Sequence, residues 1–424
     1  MTAGAFTGLT VVEFGQFVVV PFCAQLMSDF GARVIKVEPL SGDSYRSGHG
    51  QLADGFTRQF LIKNRGKESI ALDLSSPDVR AVVQELIRQA DVVLVNLSPS
   101  AIERRGLDYQ TLREINPAII YATVSAFGHT GSEAQLPGMD VVVQARSGLM
   151  TTLGAERDEV PLHSEAQVAD YSTSLLLFGG VAAALYARTV TGLGQKVETS
   201  LLAGALAIQN NSLGHALHED GWRAEFVDDV LPRLRREHAD RDDILAYRET
   251  HRPDPMNHTK HYRAFRTSDG FVAVGAGSPA SRRRLSAVLK VHESLVEKDP
   301  DRFGRLLEQR MTEQPSDYWV STLRAAEVPV SAVYNVDEMF FDEHVLGEGL
   351  IRDYPHDEAG SYRAFGQPIR LSETPMSAGP PAPGLAEHTV AILQELGFAD
   401  DDIDRLTKNG TVRAGQNRTI GGKP

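Results

Sequence analysis

The 424-residue chain is 42% hydrophobic and 23% charged, an ordinary globular balance with enough apolar residues for two cores. Its formal net charge of -13 opposes general attraction to nucleic acid or anionic lipid, so an anionic ligand needs a local basic pocket. The single cysteine, Cys23, excludes an intrachain disulfide, and the start of the chain has neither the basic cluster nor the apolar run of a signal peptide, so a cytoplasmic location is expected.

Short apolar, β-branched runs alternate with helical patterns through the first half of the chain, which predicts a parallel sheet flanked by helices. Residues 9–15 (LTVVEFG) read as a strand, 23–31 as a helix ended by Gly31, and 32–38 (ARVIKVE) as the next strand. Further strands are expected at 69–74, 92–97 and 118–127, with Ser76-Pro77-Asp78 starting the helix between the first two. The weakly charged run 171–187 carries Ser172, Thr173, Ser174 and Gly179-Gly180; it falls short of the roughly 20 apolar residues of a membrane span and reads as a buried helix. Residues 219–255 are charged and irregular, with LPRLRREHADRDD at their centre, and predict a connecting segment with an exposed helix. A hairpin at 261–277 turning at Asp269-Gly270, then amphipathic helices, predicts a small α+β domain. Residues 328–339, the Pro-rich 375–383 and a last helix at 388–398 suggest a return to the first domain. The expected class is α/β: a Rossmann-like parallel-sheet domain over 1–218, a connection over 219–255, a small domain over 256–327 and a returning segment over 328–424.

Common nucleotide signatures are missing. No G-x-G-x-x-G follows the first strand, Gly192-Leu193-Gly194 comes after a helix rather than before one, and there is no P-loop, which argues against an NAD, FAD or ordinary P-loop site. His215 with His218 and His258 with His261 have i,i+3 spacing but lack the acidic or cysteine partners of a metal set. Arg282-Arg283-Arg284 suits either a substrate carboxylate or a solvated helix face, and Trp222 and Trp319 suit packing. Cys23 falls in an apolar helical segment and reads as core.

The sharpest local feature is Asp170, at the head of the helical run YSTSLLLFGGVAAALYAR. An Asp there is either an N-cap or a nucleophile or base kept ionised by the helix dipole while apolar neighbours exclude water.

The segments FGARVIKVEPLSGD (30–43), NRGKESIALDL (64–74), ADVVLVNLSPSAIERRGLDY (90–109), NPAIIYATVSAFGHTG (116–131) and RTVTGLGQKVETSLL (188–202) together resemble the class III CoA-transferases. That family also holds acyl-CoA racemases and carnitine-type CoA-transferases. The likeness extends to PVSAVYNVDEM and GLAEHTVAILQELGF, so it covers most of the chain in order. It implies a nucleophilic Asp170, CoA contacts from Asn96, Leu97, Arg104 and Leu72, and an approach of Val18 and Val19 to the thioester, where backbone N–H groups would stabilise an oxyanion. Lys67 and Arg46 are further candidates for CoA phosphates; an Arg fork suits such oxygens.

The resemblance further implies exchange of coenzyme A between an acyl-CoA and a small carboxylic acid, with CoA as substrate and no metal or redox cofactor. It also implies an interlocked homodimer. Two other functions are weighed. In the family's racemases a histidine precedes the Asp of a G-H-D segment; here the segment is Gly138-Met139-Asp140, and Met139 cannot shuttle a proton. A non-catalytic acyl-CoA binding protein would not need Asp170. The oxalate-type transferases carry a glycine-rich loop in the small domain where this chain has only Gly275-Ala276-Gly277-Ser278, so the acid is left open.

Overall fold

A computed structural model of the chain describes residues 3–415 except 154, 159, 217, 219 and 252–259. The described residues form two compact units, one from 1–214 with 343–424 and one from 215–342.

The large unit opens with β1 (Thr10–Phe14), α1 (Val19–Asp29) and β2 (Arg33–Glu38). Every residue of α1 is buried, Cys23 among them, and burial pushes its thiol well above the ordinary range, as befits an inert core residue. Then come α2 (Arg58–Asn64), capped by Thr57, and β3 (Lys67–Leu72). Ser76 caps a short 3₁₀ turn that leads into α3 (Arg80–Gln89). β4 (Val92–Val95) is followed by α4 (Pro99–Arg105), which starts on a Ser98 cap and ends on left-handed Gly106. β5 (Ile120–Ser125) and α5 (Asp140–Arg146) precede α6 (Val168–Thr191) and β6 (Lys196–Ser200). The five expected strands are present. β6 was not foreseen, because its Lys and Glu mask the alternation of a half-exposed edge strand.

The turn after α6 explains its glycines. Gly192 ends the helix at φ 71, and a Cβ on Gly194 would lie 2.0 Å from the Ile119 carbonyl oxygen. The pair is there for helix termination and close backbone approach. With 24 residues, α6 is longer than expected and, by length and mean hydropathy of 1.4, apolar enough to cross a bilayer. One face of it, through Leu177, Val181 and Leu185, packs in the core.

The small unit has its own core. β7 (Tyr262–Arg266) and β8 (Phe271–Gly275) form the expected hairpin, and β9 (Val330–Ala332) pairs antiparallel with β8. The boundary expected at 327 is therefore corrected to Asp342, since an isolated hairpin is marginal and the third strand completes the sheet. Helices 279–289, 300–311 and 316–325 cover it around Phe303, Leu307 and Leu323. Trp319 is a packing residue whose indole N–H donates to the Met311 carbonyl at 2.6 Å. Arg284 pairs with Glu327 at 2.7 Å. The charged segment is more helical than expected, at 222–225, 231–236 and 241–251, and it belongs to this unit. His258 lies outside the described residues.

The chain then returns to the large unit through α7 (Thr389–Glu395), α8 (Asp400–Lys408) and β10 (Val412–Arg413). The sheet order is β6-β5-β4-β1-β2-β3-β10, parallel except for β10. Successive side chains point to opposite faces: Val11, Val92 and Leu94 meet α1 and α6, while Val12, Val93 and Val95 meet α3, α7 and α8. The chain winds one way from β1 to β3 and the other way from β4 to β6. The switch point, where open α/β sheets bind ligands, is thus the crevice beyond the carboxyl ends of β1 and β4.

Candidate active site

The segment leaving β1 at that crevice is unusual. Phe17 has φ 67, a left-handed conformation costly for an aromatic residue. It is held from both sides. Asn96, just past β4, accepts from the Gln16 N–H at 3.0 Å and donates to the Gln16 carbonyl at 2.8 Å. Beneath the loop, the Lys36 ammonium donates to the Gly15 carbonyl at 2.8 Å and pairs with Glu13 at 2.9 Å and Asp43 at 2.8 Å.

Two pockets flank this loop. One, of about 210 Å³, is lined by Phe17, Val18, Val19, Asn96, Met139, Asp140 and Asp170, with Val124–Ala126 behind. The other, of about 320 Å³, is lined by Phe14–Gln16, Pro39, Leu72, Asp73, Leu97 and Arg105. The sequence candidates Val18, Val19, Asn96 and Asp170 thus share one pocket, and Leu72 and Leu97 share the next.

Asp170 is not the N-cap of α6. The cap position is Gln167, left-handed at φ 49, and Asp170 is the third helical residue. Its own N–H donates to Asp140 Oδ1 at 3.0 Å, so Asp140 supplies the cap from α5. Gln144 holds the other Asp140 oxygen at 2.5 Å and accepts from the Ser164 N–H at 2.9 Å. Ser174, one turn on, donates to the Val19 carbonyl at 2.9 Å and ties α6 to the first turn of α1. With Asp170 only 8% exposed, burial drives its carboxyl up to about 7; Asp140 pushes the same way and Lys63 pulls it back. A carboxylate poised near neutrality, in a pocket that Val18 and Val19 at the start of α1 also line, is equipped to attack a carbonyl carbon or to exchange a proton.

Two expected phosphate contacts are corrected. Lys67 is fully buried, pairing with Glu13 at 2.7 Å and donating to the Pro21 carbonyl at 2.9 Å. Arg46 forms a two-pronged pair with Glu38, at 2.7 Å from each nitrogen, and its guanidinium lies 3.9 Å from the centre of the Phe60 ring. Both cations neutralise internal carboxylates and neither lines the Asp170 pocket or the Leu72 pocket; Arg46 lines a separate cavity of about 560 Å³ with Ser41, Asp54 and Arg413. Asn96 lines the pocket, but its amide serves the Gln16 backbone at both ends. Arg104 faces a neighbouring depression with Arg80, whereas Arg105 lines that depression and the Leu72 pocket as well. Sequence reasoning missed Asp140, Phe17 and Arg105. Arg105 sits beside the chosen arginine and only helix phase separates them.

Among the described residues, no group of three or more His, Cys, Asp or Glu is placed to hold a metal ion.

The profile of CoA-transferase family III matches residues 6–389. A succinate–glutarate CoA-transferase of Agrobacterium fabrum is 30% identical over 407 residues, covering 92% of this chain and 95% of that protein. The succinyl-CoA:glutarate CoA-transferase of Homo sapiens is 27% identical, over 96% and 89%. The crystal structure of a CAIB/BAIF family protein from Brucella suis superimposes with a TM-score of 0.72 at 27% identity, over 93% of this chain and all of that one. A match spanning both units, joined to a switch-point site that has a buried carboxylate and no dinucleotide motif, places the chain in CoA-transferase family III.

Proposed function

We propose that this enzyme transfers coenzyme A from an acyl-CoA to a carboxylic acid by covalent catalysis at Asp170. An Asp170 oxygen attacks the thioester carbon; the C–S bond breaks, and a mixed anhydride and CoA thiolate result. The thiolate attacks the aspartyl carbonyl and releases the first acid, which leaves an aspartyl-CoA thioester. The acceptor carboxylate reverses the sequence. The observation that carries this reading is that Asp170 is buried in the pocket that Val18 and Val19, at the start of α1, also line; their backbone N–H groups would stabilise a developing oxyanion there. Met139 stands in the same pocket and carries no proton, which disfavours α-proton exchange. Incubation with a panel of acyl-CoAs should leave a hydroxylamine-cleavable mass increment on the Asp170 peptide. Turnover with no such increment at any time point would remove the covalent mechanism.

The Leu72–Leu97 pocket suits the nucleotide end of CoA, and Arg105 at its rim suits a phosphate. Arg105→Ala should raise KM for acyl-CoA about tenfold with little change in kcat, more so at low salt. An unchanged KM together with a large effect of Arg104→Ala would reverse the assignment.

The outward face of α6 is also apolar, with Leu175, Tyr186 and Val190 exposed at 57%, 74% and 75%. A face of that kind is covered in stable proteins, and we assign the cover to a second copy of the chain. Light scattering at micromolar concentration should give twice the chain mass; a monomer would refute it.

A further inference from the structure

Lys63, near the end of α2, has no part in the roles described so far. It is fully buried, its ammonium donates to Gln59 Oε1 at 2.6 Å, and it forms no ion pair among the described residues. This contrasts with Lys36, Lys67, Arg46 and Arg65, each of which is buried against a carboxylate within 2.9 Å. A buried ammonium with a single neutral acceptor is costly, so its field must be answered by charge further off. That charge lies in the pocket. The ammonium sits 5.2 Å from the centre of the Tyr45 ring and 6.0 Å from that of Tyr171. Tyr45 meets Phe17 edge-on at 5.4 Å, and Tyr171 is the neighbour of Asp170. Phe17 and Asp170 both line the pocket. Lys63 therefore lies against two tyrosines that adjoin the pocket, Tyr45 through its contact with Phe17 and Tyr171 as the chain neighbour of Asp170.

Among the described residues, the charges around Asp170 are few. Asp140 from α5 opposes its ionisation, as does burial, while Lys63 from α2 is the cation that favours it; Tyr171 on its own helix and Tyr45 are neutral at ordinary pH. Lys63 in turn faces Asp170, Asp43, Tyr45 and Tyr171, and Asp43 is already paired with Lys36. We propose that Lys63 is a positioning residue for the nucleophile: a buried cation, set against the two tyrosines, that holds Asp170 ionised against Asp140. The role rests on Asp170 being the nucleophile. It also suits the charge balance of the reaction. As the C–O bond forms and the C–S bond breaks, one negative charge passes from Asp170 to sulfur, so the pocket's anion is never lost and one counter-charge serves every step; burial brings the Lys63 ammonium down to about 8, so that charge is present at and below neutral pH.

The test is the pH dependence of Asp170 acylation in the full-length enzyme, followed by quenched mass spectrometry. In the natural protein the rate should rise with pH to a midpoint near 7, as the carboxyl ionises. Lys63→Met, which fills the same volume without charge, should move the midpoint up by about one unit and slow acylation at pH 6 about tenfold. The two rates should converge at high pH. Lys63→Arg should restore the midpoint. A Lys63→Met enzyme that is acylated with the original midpoint overturns the proposal, and Lys63→Gln, which keeps a polar group for Gln59, gives the same reading if the Met variant does not fold. If the natural enzyme turns over without labelling at Asp170, the nucleophile assignment fails and this one with it.

Discussion

Asp170→Asn is expected to abolish CoA transfer, by about a thousandfold or more in kcat, and to leave a protein more stable than the original above neutral pH. The first effect follows because an amide is no nucleophile toward a thioester and no other pocket carboxylate takes its place: Asp140 is held through both oxygens, by the Asp170 N–H and by Gln144. The second follows from the cost of keeping the carboxylate buried. Its folded-state pKa is raised from 3.8 to about 7, chiefly by burial and then by Asp140. The folded state thus prefers the protonated form, and the stability that form contributes is complete below pH 4 and lost as pH rises through 7. The loss levels off at about 4 kcal/mol. Asparagine has the shape without the charge. Melting curves should coincide for the two proteins at pH 4 and separate by pH 8, with the variant higher. Equal melting at pH 8 would mean that the carboxylate is not held at such a cost.

Stability given up at one residue is the mark of a functional site, and it bears on what the sequence disclosed. Five of the seven strands of the large sheet were legible because buried parallel strands are short β-branched runs between turn signals, and 92–95 and 120–125 were found on that basis. Asp170 was legible as a position but not as an environment. Its local pattern is that of a cap, and the actual cap is the side chain of Asp140, thirty residues earlier, which only the fold brings to it. The same limit produced the errors. Lys67 and Arg46 look like ligand cations in a chain with net charge -13, yet their partners Glu13 and Glu38 lie on neighbouring strands and claim them first. The extent of the small domain was misjudged for a related reason. Residues 330–332 pair with a strand almost 60 residues earlier, and nothing local distinguishes that pairing from a return to the first sheet.

Lys36→Met should be the most damaging change away from the chemistry. Lys36 is completely buried between Glu13 at 2.9 Å and Asp43 at 2.8 Å, and its third proton goes to the Gly15 carbonyl at 2.8 Å. Without it Asp43 loses its ion-pair partner, and Glu13 keeps only Lys67. A dry interior then carries an uncompensated negative charge, at a cost of about 3–5 kcal/mol, a large part of the stability of an ordinary domain. The midpoint of urea unfolding should fall accordingly. A second substitution separates lost charge balance from lost packing. Asp43→Asn keeps an oxygen for the Tyr45 N–H, which it accepts at 2.9 Å, and removes the orphaned charge. The double variant Lys36→Met/Asp43→Asn should therefore be more stable than Lys36→Met alone, because removing both partners of a buried pair costs less than removing one. It should still bind acyl-CoA more weakly than the original, since the Gly15 carbonyl has lost its anchor and the Phe17 turn loses support from below. Strictly additive losses would show that the ion pair is not what Lys36 contributes.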